Sequence, residues 1–476
     1  MSASEQEARE FAVAFTRFLD WVHGGGSARA SHVVSLVGEH LGAHGLDRSV
    51  VTRALPPFEH VNLQLALEDW MQRTGRAAVV HGVSVPPHYA AIGLQQLLDG
   101  EGLPPVRLSA PPLVDLPSGP GRTHACLQSA LVLVEDDRGN YVLMLRGPVP
   151  HQEPTLSLEV AGLAVADAQA VLAELDGLRA HHNVFRGHVL ELGTSDSGEL
   201  ALAFAELPLT ERDDVVLPET VLQRIERHTV DVAAHRDSLR AAGQHLKRGL
   251  LLFGPPGTGK THTTRYVVGR MTGCTVLLLS GRSMHLIGAV AGLARQLQPT
   301  VVVLEDVDLV AEDRGFGPGA NPVLFELLDA MDGAAADADL LFLLTTNRAD
   351  LLEPALAARP GRVDVAVEIG LPDAEARRRL LELYSRGVPL RLAEADVAEV
   401  VERTDGVTAA FLKELIRRAV LESLTETAPL ELVSADHVRA ALSELLASGE
   451  RITRVLLGIT DEDGDPDERL GVEDGW

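Results

Sequence analysis

The chain has 476 residues and a formal net charge of −26, and 46% of its residues are hydrophobic. This length exceeds what one hydrophobic core holds, so we expect about two to four domains. The negative charge argues against nonspecific binding to nucleic acid or to an anionic membrane surface. The two cysteines, Cys126 and Cys274, lie far apart and in no CxxC spacing. We therefore expect a cytoplasmic protein without structural disulfides or a cysteine zinc cage.

The ends of the chain carry no targeting or anchoring pattern. The first residues are acidic, unlike the basic start of a signal peptide, and no apolar stretch reaches the length of a membrane span. Residues 451–476 close the chain, and eight acidic side chains and one arginine lie in 459–476. This composition predicts a disordered, solvated tail.

Apolar positions at helical spacing dominate residues 1–100, which we predict to be a helical region. The predicted helices are Phe11–Trp21, His32–Leu41 and Leu63–Met71. Residues 101–212 change in character and indicate an α+β domain. A proline-rich connector from Leu103 to Pro120 opens this domain, and a hairpin of Leu127–Val134 and Tyr141–Leu145 follows it. The later elements predicted there are a strand at Leu156–Val160, a helix over Ala164–Ala180, and strands at Gly187–Leu192 and Leu200–Leu207.

Strands alternate with helices over residues 213–371, a pattern typical of a parallel sheet. Five short apolar runs fit its buried strands: Leu250–Phe253, Thr275–Leu279, Thr300–Leu304, Leu340–Leu344 and Val363–Ile369. Residues 372–450 then become almost wholly helical. The fold class expected for this half is an α/β core followed by a helical subdomain.

A glycine-rich loop follows the first of these apolar runs and reads Gly-Pro-Pro-Gly-Thr-Gly-Lys-Thr. In this setting the spacing predicts a P-loop, in which successive backbone N–H groups point at phosphate oxygens. Lys260 is expected to reach the β- and γ-phosphates of ATP, and the Thr261 hydroxyl to bind Mg²⁺. His262 lies just inside the following helix and is expected to pack there rather than act in catalysis. The expected nucleotide-binding residues are Gly254, Pro255, Pro256, Gly257, Thr258, Gly259, Lys260, Thr261 and His262.

Two carboxylates end the apolar strand Val301–Leu304, one strand–helix–strand unit after the loop. One acid at such a position supports the metal ion, and the other polarises the attacking water. By position, Glu305 is expected to serve Mg²⁺ and Asp306 to be the general base. The sequence therefore predicts catalytic roles for both.

Three polar side chains farther along the chain complete the predicted site. Asn347 ends the next apolar strand, where its amide can hydrogen-bond the γ-phosphate or the attacking water. Arg359 and Arg362 lie three residues apart just before the last strand, and this spacing suits capture of phosphate charge.

With these elements in this order, the chain resembles the AAA family of ATPases in its narrow sense. Leu327–Gly333 is similar to the helix after the acidic strand, and Gly406–Lys413 to a lid segment near the adenine. The resemblance covers roughly residues 213–445. It implies a P-loop core with a five-stranded parallel sheet, a helical lid and a hexameric ring. It also implies that Arg359 and Arg362 act as arginine fingers on the neighbouring subunit's ATP.

Three departures from the family pattern bear on function. Most members have Asp before Glu at the strand end, whereas here Glu305 precedes Asp306. Leu286 aligns with the pore position where threading unfoldases carry an aromatic residue. No His-Glu-x-x-His motif is present, so a fused zinc protease is unsupported.

The sequence favours an Mg²⁺-dependent, ring-forming ATPase that remodels, unfolds or assembles protein complexes. Its N-terminal region is expected to bind a protein substrate or adaptor. The alternative is a slowly hydrolysing scaffold that assembles with ATP and holds a partner complex. A nucleic-acid remodeller is the weakest of the three interpretations because of the negative charge.

Overall fold

The structure is a computed structural model, and its described residues form two compact units. The N-terminal unit lies within Met1–Arg186 and Leu192–Ala205, and the C-terminal unit within Gly187–Glu191 and Glu206–Trp476. The described residues are 32–43, 45, 49–85, 92–99, 106–149, 155–195, 198–308, 338–348, 363–426 and 428–447. The predicted helix Phe11–Trp21 and the acidic tail lie outside these ranges.

The N-terminal unit contains an antiparallel sheet with helices packed on it. Its helices are α1 (32–43), α2 (His60–Met71), α3 (Leu94–Asp99) and α4 (Val165–His181). Its strands are β1 (Val51–Leu55), β2 (Ala77–Ser84), β3 (Arg107–Ser109), β4 (Leu113–Gly119), β5 (Arg122–Leu127), β6 (Ser129–Asp136), β7 (Gly139–Arg146) and β8 (Leu156–Ala161). Strand β9 (Val189–Thr194) begins in the C-terminal unit and ends in this one, and β10 (Leu200–Phe204) follows it.

The main sheet of this unit corrects the predicted division at residue 100. Its order is β1-β8-β7-β6-β2-β3, with β1 paired to β8 and β2 paired to β6. Strands from the predicted helical region therefore complete the sheet of the predicted α+β domain. The described part of residues 1–100 does not form a separate helical region, because backbone pairing joins it to the later strands.

Both faces of this sheet are covered, which explains its nearly continuous apolar strands. On β6, Val132 and Val134 face one hydrophobic core with α2 and α4, whereas Leu131 and Leu133 face another with α1 and α3. Successive side chains of a strand point to opposite faces, so burial on both faces requires an unbroken apolar run. Each fully buried aliphatic side chain stabilises the fold by ~1.5–3 kcal/mol.

The predicted hairpin is confirmed, with Asp136 opposite Gly139 at its turn. The predicted proline-rich connector is only partly an extended connector. It contains β3 and β4, and β4 forms a hairpin with β5 just beyond it, whose register shifts between Pro117 and Gly119. Proline lacks a backbone N–H, and it is tolerated in strands at edges and bulges.

The C-terminal unit contains a parallel sheet flanked by helices. Its helices are α5 (Glu219–Glu226), α6 (Val232–Ala234), α7 (Arg236–Ala241), α8 (Lys260–Arg270) and α9 (Ile287–Gln296). Its further strands are β11 (Arg248–Phe253), β12 (Thr275–Leu279), β13 (Thr300–Leu304), β14 (Leu340–Thr346) and β15 (Val365–Glu368). All five strands predicted from apolar runs are confirmed.

The strands of this unit lie in the order β9-β12-β13-β14-β11-β15, and every pair is parallel. The predicted five strands are thus joined by Val189–Glu191 of β9, which pairs with β12. The predicted boundary at residue 212 is wrong for this short segment, because its backbone groups are hydrogen-bonded to β12. The core beneath the sheet includes Tyr266 and Ile369, both at most 2% exposed.

A four-helix lid follows the sheet within the same unit. Its helices are α10 (Ala374–Tyr384), α11 (Glu394–Arg403), α12 (Ala409–Glu426) and α13 (Ala435–Ala447). Their apolar faces meet in a separate core around Phe411, which is fully buried. Asp373 begins the lid because its side chain accepts a hydrogen bond from the Ala376 N–H at 2.8 Å. The predicted helical subdomain is confirmed.

Candidate functional site

The glycine-rich loop joins the end of β11 to the start of α8, and three of its glycines have positive φ. The angles are 144° at Gly254, 78° at Gly257 and 108° at Gly259. A Cβ at Gly254 would lie 2.2 Å from the carbonyl oxygen of Ile369, whereas a Cβ at Gly259 would meet nothing within 4 Å. Gly254 is therefore required by close packing, and Gly259 lies beside open space. An open cradle bounded by backbone amides fits a phosphate group.

Lys260 is 6% exposed and directs its ammonium group back across the loop. Its Nζ donates hydrogen bonds to the carbonyl oxygens of Gly254 and Pro255, each at 2.8 Å. The pKa of the Lys260 ammonium is lowered, because the effect of burial exceeds the opposing effect of the Asp306 and Asp308 charges. A lysine ammonium has three donors, so two carbonyls leave one for a phosphate oxygen. The loop thus presents a buried positive charge that fits a polyphosphate.

Thr261 and Glu305 come together at the start of α8. The Thr261 side chain is hydrogen-bonded to the Glu305 carboxylate, although the two residues come from different elements. Burial, followed by the charge of Asp306, raises the pKa of the half-buried Glu305 carboxyl. A hydroxyl and a carboxylate side by side are oxygen donors of the kind that Mg²⁺ binds. The two residues predicted to hold the metal therefore fit it.

Asp306 follows Glu305 with a φ of 51°, the positive-φ backbone that an aspartate tolerates better than most side chains. Its backbone N–H donates to the Thr345 hydroxyl at 3.0 Å. Its Oδ1 accepts a hydrogen bond from the side-chain amide of Asn347 at 3.4 Å. Asp306, and not Glu305, is therefore the carboxylate that meets Asn347.

Asp308 belongs to the same cluster, and the sequence analysis missed it. It is 6% exposed, and its Oδ1 accepts from the Thr346 hydroxyl at 2.9 Å and from the Asn347 backbone N–H at 3.1 Å. The available signal was an aspartate two residues beyond Asp306 at a strand end. That spacing alone does not tell a buried hydrogen-bond acceptor from a solvated turn.

Strand order brings these groups to one edge of the sheet. Leu304 lies opposite Leu344, and Phe253 lies opposite Thr346, so β14 sits between β13 and β11. The carboxyl ends of parallel strands meet at one edge, where open α/β sheets bind ligands. The loop, the acid pair and Asn347 consequently surround one space.

The lid and the linker before α5 reach the same loop. The Ala410 N–H at the start of α12 donates to the Gly257 carbonyl at 3.1 Å. The His262 ring is exposed, and its Nε2 lies 3.1 Å from the Asp214 carbonyl oxygen of the linker. Val216 of this linker packs on the lid core. A nucleotide base between loop, linker and lid would contact all three.

The other candidate residues are not among the described residues that surround the loop. Arg359 and Arg362 lie outside the described residues. Arg248, the first residue of β11, is 8% exposed and its Nη1 donates to Asp339 within its own unit. Leu286 ends a 3-10 turn and is half-buried.

The described residues carry neither a cluster of metal-binding side chains nor a helix that could span a membrane. They contain no group of three or more His, Cys, Asp or Glu side chains placed to hold a metal ion. They also contain no helix with the length and apolar character that crossing a membrane requires.

Comparison with known proteins agrees with the geometry of the loop. The family model described as "ATPase family associated with various cellular activities (AAA)" matches residues 250–371. The ATP-dependent zinc metalloprotease FtsH 1 of Sphaerobacter thermophilus is 33% identical over 241 residues, covering 48% of this chain and 36% of that protein. The cell division cycle protein 48 homolog of Archaeoglobus fulgidus is 30% identical over 234 residues, covering 47% and 32% respectively.

The chain thus spans 36% and 32% of the length of these two relatives. Among solved structures, the AAA domain of FIGL-1 in complex with ADP is similar with a TM-score of 0.42 and 23% identity. That likeness covers 50% of this chain and 85% of the FIGL-1 chain, and we draw nothing further from it. The matched segment contains the phosphate loop, the acid pair and Asn347 in one parallel sheet. Residues 250–371 therefore form an AAA domain with the P-loop α/β fold, and this part of the chain is that of an AAA family ATPase.

Proposed function

We propose that the C-terminal unit hydrolyses ATP with Mg²⁺ and that a ring of copies uses this energy to remodel, unfold or assemble protein complexes. The observation that carries the proposal is the contact between Asp306 and Asn347 beside the buried Lys260 ammonium. This contact supports Asp306 as a base and Asn347 as a phosphate-directed amide at the mouth of one phosphate loop. The AAA match and the ATP dependence in the names of the FtsH relatives support the proposal as well.

The side chains divide the chemistry between them. Lys260 holds the β- and γ-phosphates through its remaining donor, and the loop N–H groups hold the other oxygens. Thr261 and Glu305 hold the metal ion. When bound, Mg²⁺ neutralises phosphate charge and orients the γ-phosphate for in-line attack.

Asp306 orients a water for attack and accepts its proton, a role that contributes ~10²–10⁴-fold to a rate. Asp is one methylene shorter than Glu. Backbone position compensates for this shorter reach. The positive φ of Asp306 and the hydrogen bond of its N–H to Thr345 bring its carboxylate toward Asn347. Asn347 then directs its amide to the water and the γ-phosphate together.

The ring and the target belong to the same proposal. Arg359 and Arg362 supply charge to the ATP of a neighbouring copy, an effect worth ~10³-fold or more in turnover. The N-terminal unit binds the protein substrate or adaptor, because an ATPase core has no target specificity of its own. Two free, buried cysteines and the net charge of −26 support a cytoplasmic setting without nucleic acid.

The test is the ATPase rate per subunit against protein concentration, for wild type and Asp306→Asn. A rate that rises steeply with concentration and disappears in the variant supports a ring with Asp306 as base. The variant must still bind ATP, and Lys260→Ala serves as the control that does not. A wild-type rate that is independent of concentration would contradict assembly-dependent hydrolysis.

A slowly hydrolysing scaffold is the second candidate, and the short Asp306 side chain in the base position favours it. In this case ATP binding assembles the ring, which holds its partner complex while turnover stays rare. A negligible wild-type rate with tight ATP binding and ATP-dependent assembly would identify the scaffold. Retention of partner by Asp306→Asn, but not by Lys260→Ala, would support it further.

A further inference from the structure

We propose that Asp308 is a positioning residue that sets the orientation of Asn347 toward the γ-phosphate. This inference rests on the proposed function, because it assigns Asn347 the reading of that phosphate. It extends the site to a buried carboxylate whose hydrogen bonds go to Thr346 and Asn347.

The first observation is the way Asp308 is held. Its Oδ1 accepts two hydrogen bonds, from the Thr346 hydroxyl at 2.9 Å and from the Asn347 N–H at 3.1 Å. Both donors belong to the end of β14 and its first following residue. With Asp308 at 6% exposure and Thr346 fully buried, water does not compete for these bonds. The carboxylate therefore fixes the backbone from which the Asn347 side chain projects.

The second observation is that the two strand ends are tied together at further points. The Asp306 N–H donates to the Thr345 hydroxyl, and the Val307 N–H donates to the Thr345 carbonyl, both at 3.0 Å. The Asn347 amide returns to Asp306 at 3.4 Å. Asp306, Val307 and Asp308 thus all hydrogen-bond to the end of β14. Asp308 holds Thr346 and the Asn347 backbone, and Asp306 carries the proposed catalytic carboxylate. A shift of Asn347 would therefore also move its contact with the proposed base.

Among the residues that the structure describes, no cation forms an ion pair with Asp308. Lys260 is near enough for the charge of Asp308 to raise its pKa, but its ammonium is hydrogen-bonded to the loop carbonyls. A buried carboxylate without an ion pair costs free energy unless its hydrogen bonds are made. Holding the Thr346–Asn347 backbone is the function that its bonds serve.

The substitutions separate geometry from charge. Asp308→Ala removes both acceptors, and a displacement of about 1 Å at a catalytic group costs ~10²-fold in rate. Asp308→Asn keeps an oxygen that accepts both bonds, so turnover stays close to wild type. Thr346→Val removes one bond and gives an intermediate loss. Asp339→Ala is the matched control. Asp339 is also a buried aspartate (5% exposed), but it lies just before β14, at the opposite end of that strand from Asn347.

Two readouts distinguish positioning from a general structural role. We expect Asp308→Ala to lower turnover and to reduce the ratio of ATP affinity to ADP affinity toward that of Asn347→Ala. ADP affinity should stay close to wild type. Because Asp308 acts through Asn347, the double variant Asp308→Ala/Asn347→Ala should lose no more than Asn347→Ala alone. Asp339→Ala should leave the affinity ratio unchanged even if it lowers thermal stability.

Additive losses in the double variant would overturn the inference, as would a wild-type affinity ratio in Asp308→Ala. The affinity ratio is measured without turnover, so it tests Asp308 even if hydrolysis proves negligible. An unchanged ratio in Asn347→Ala would refute γ-phosphate reading by Asn347, and the inference with it. If Asp308→Ala does not fold, Thr346→Val and Asp308→Asn decide. The inference holds if Thr346→Val, which loses one hydrogen bond, lowers turnover and Asp308→Asn, which keeps both, does not.

Discussion

The Lys260 ammonium donates to the carbonyl oxygen of Gly254 at 2.8 Å, six residues earlier on the opposite side of its own loop. A second bond, to the Pro255 carbonyl, also measures 2.8 Å. The lysine thereby holds the loop closed while its charge stays buried. The shape of the loop consequently depends on this one side chain.

We expect Lys260→Met to fold but to lose the stabilisation that ATP gives. Binding to the native state alone adds ~2.7 kcal/mol to the unfolding free energy at ATP concentrations 100 times the dissociation constant. The measurement is thermal unfolding with and without Mg-ATP. Arg240→Met, which removes an exposed positive charge on α7, is the control and should keep the gain. A full ATP-dependent gain in Lys260→Met would contradict the assignment of Lys260 to phosphate.

Two glycine substitutions in the same loop should fail in different ways. Gly254→Ala forces a Cβ to within 2.2 Å of the Ile369 carbonyl, so it should destabilise the protein without nucleotide. Gly259→Ala meets nothing within 4 Å, so its main effect should be lower ATP affinity because the methyl occupies the phosphate space. Both carry the cost of a positive φ, ~1 kcal/mol or more. Urea unfolding and ATP titration of each variant test this order, and equal destabilisation would refute it.

Mixing two inactive variants tests whether the arginines act between subunits. Arg359→Ala keeps an intact loop and base, and Asp306→Asn keeps intact arginines. If the arginines reach a neighbour's ATP, each variant on its own should have an ATPase rate lower than wild type by ~10³-fold. Mixed rings then contain some complete sites, and ATPase activity should return.

The control for this mixture is Asp306→Asn with Lys260→Ala. Asp306 and Lys260 belong to the same half of a site, the half that one subunit supplies with its loop and base. Every subunit in this mixture therefore has a damaged half, and no complete site can form. Activity in the control equal to that of the test mixture would argue against fingers that act between subunits.

The buried pair of Arg248 and Asp339 should be important for stability rather than for assembly. Arg248 is 8% exposed and Asp339 is 5% exposed, with 3.4 Å between Arg248 Nη1 and Asp339 Oδ1. Removing one member of a buried pair costs ~3–5 kcal/mol because the other charge is left unpaired. Because Arg236 Nε also lies 3.7 Å from Asp339 Oδ2, that carboxylate keeps one partner, and we expect Arg248→Met to lose less than this amount in urea unfolding. The double variant with Asp339→Asn should regain part of it, and ATP affinity should be unchanged in folded protein.

The lid carries a pH-dependent contribution at Glu414. Hydrogen bonds from Arg417 and Arg418 lower the pKa of Glu414 to about 2, from 4.5 in the unfolded chain. A lowered carboxyl pKa contributes stability that is present above pH 4.5 and is lost as the pH falls toward 2. Glu414→Gln should therefore reduce stability at pH 7 by ~1 kcal/mol or less, since such pairs are partly exposed.

The difference between this variant and wild type should shrink steadily between pH 4.5 and pH 2, which thermal unfolding across that range measures. Glu422→Gln on the same helix has no ion pair among the described residues and should show no such trend. A difference that is constant with pH would mean that Glu414 acts through packing alone.

Much of the C-terminal unit was predictable because its signals are local. Each strand of its sheet that follows residue 206 appears as a short apolar run, and the loop glycines announce the positive φ that the structure has there. Glu305, Asp306 and Asn347 follow such runs, so their positions at strand ends were predictable as well. Their contact partners were not, and Asp308 stayed unnoticed for that reason.

The N-terminal unit was predicted less well because its sheet depends on distant pairing. β1 pairs with β8 across more than a hundred residues, and β2 pairs with β6. β2 alternates between half-buried and exposed positions at its start, so the apolar run that marks a fully buried strand is missing there. Only the pairing shows that residues 1–100 and 101–212 share one sheet.

The amino-acid sequence by itself determined the phosphate loop, the apolar strands and the family, because each depends on residues within a few positions of one another. The tertiary structure decided that β14 lies between β13 and β11, and that β9 joins the sheet at β12. It also decided that Asn347 meets Asp306 while Asp308 holds the Asn347 backbone. These relationships join residues about forty positions apart, and backbone hydrogen bonding between strands carries no signature in the local order of side chains.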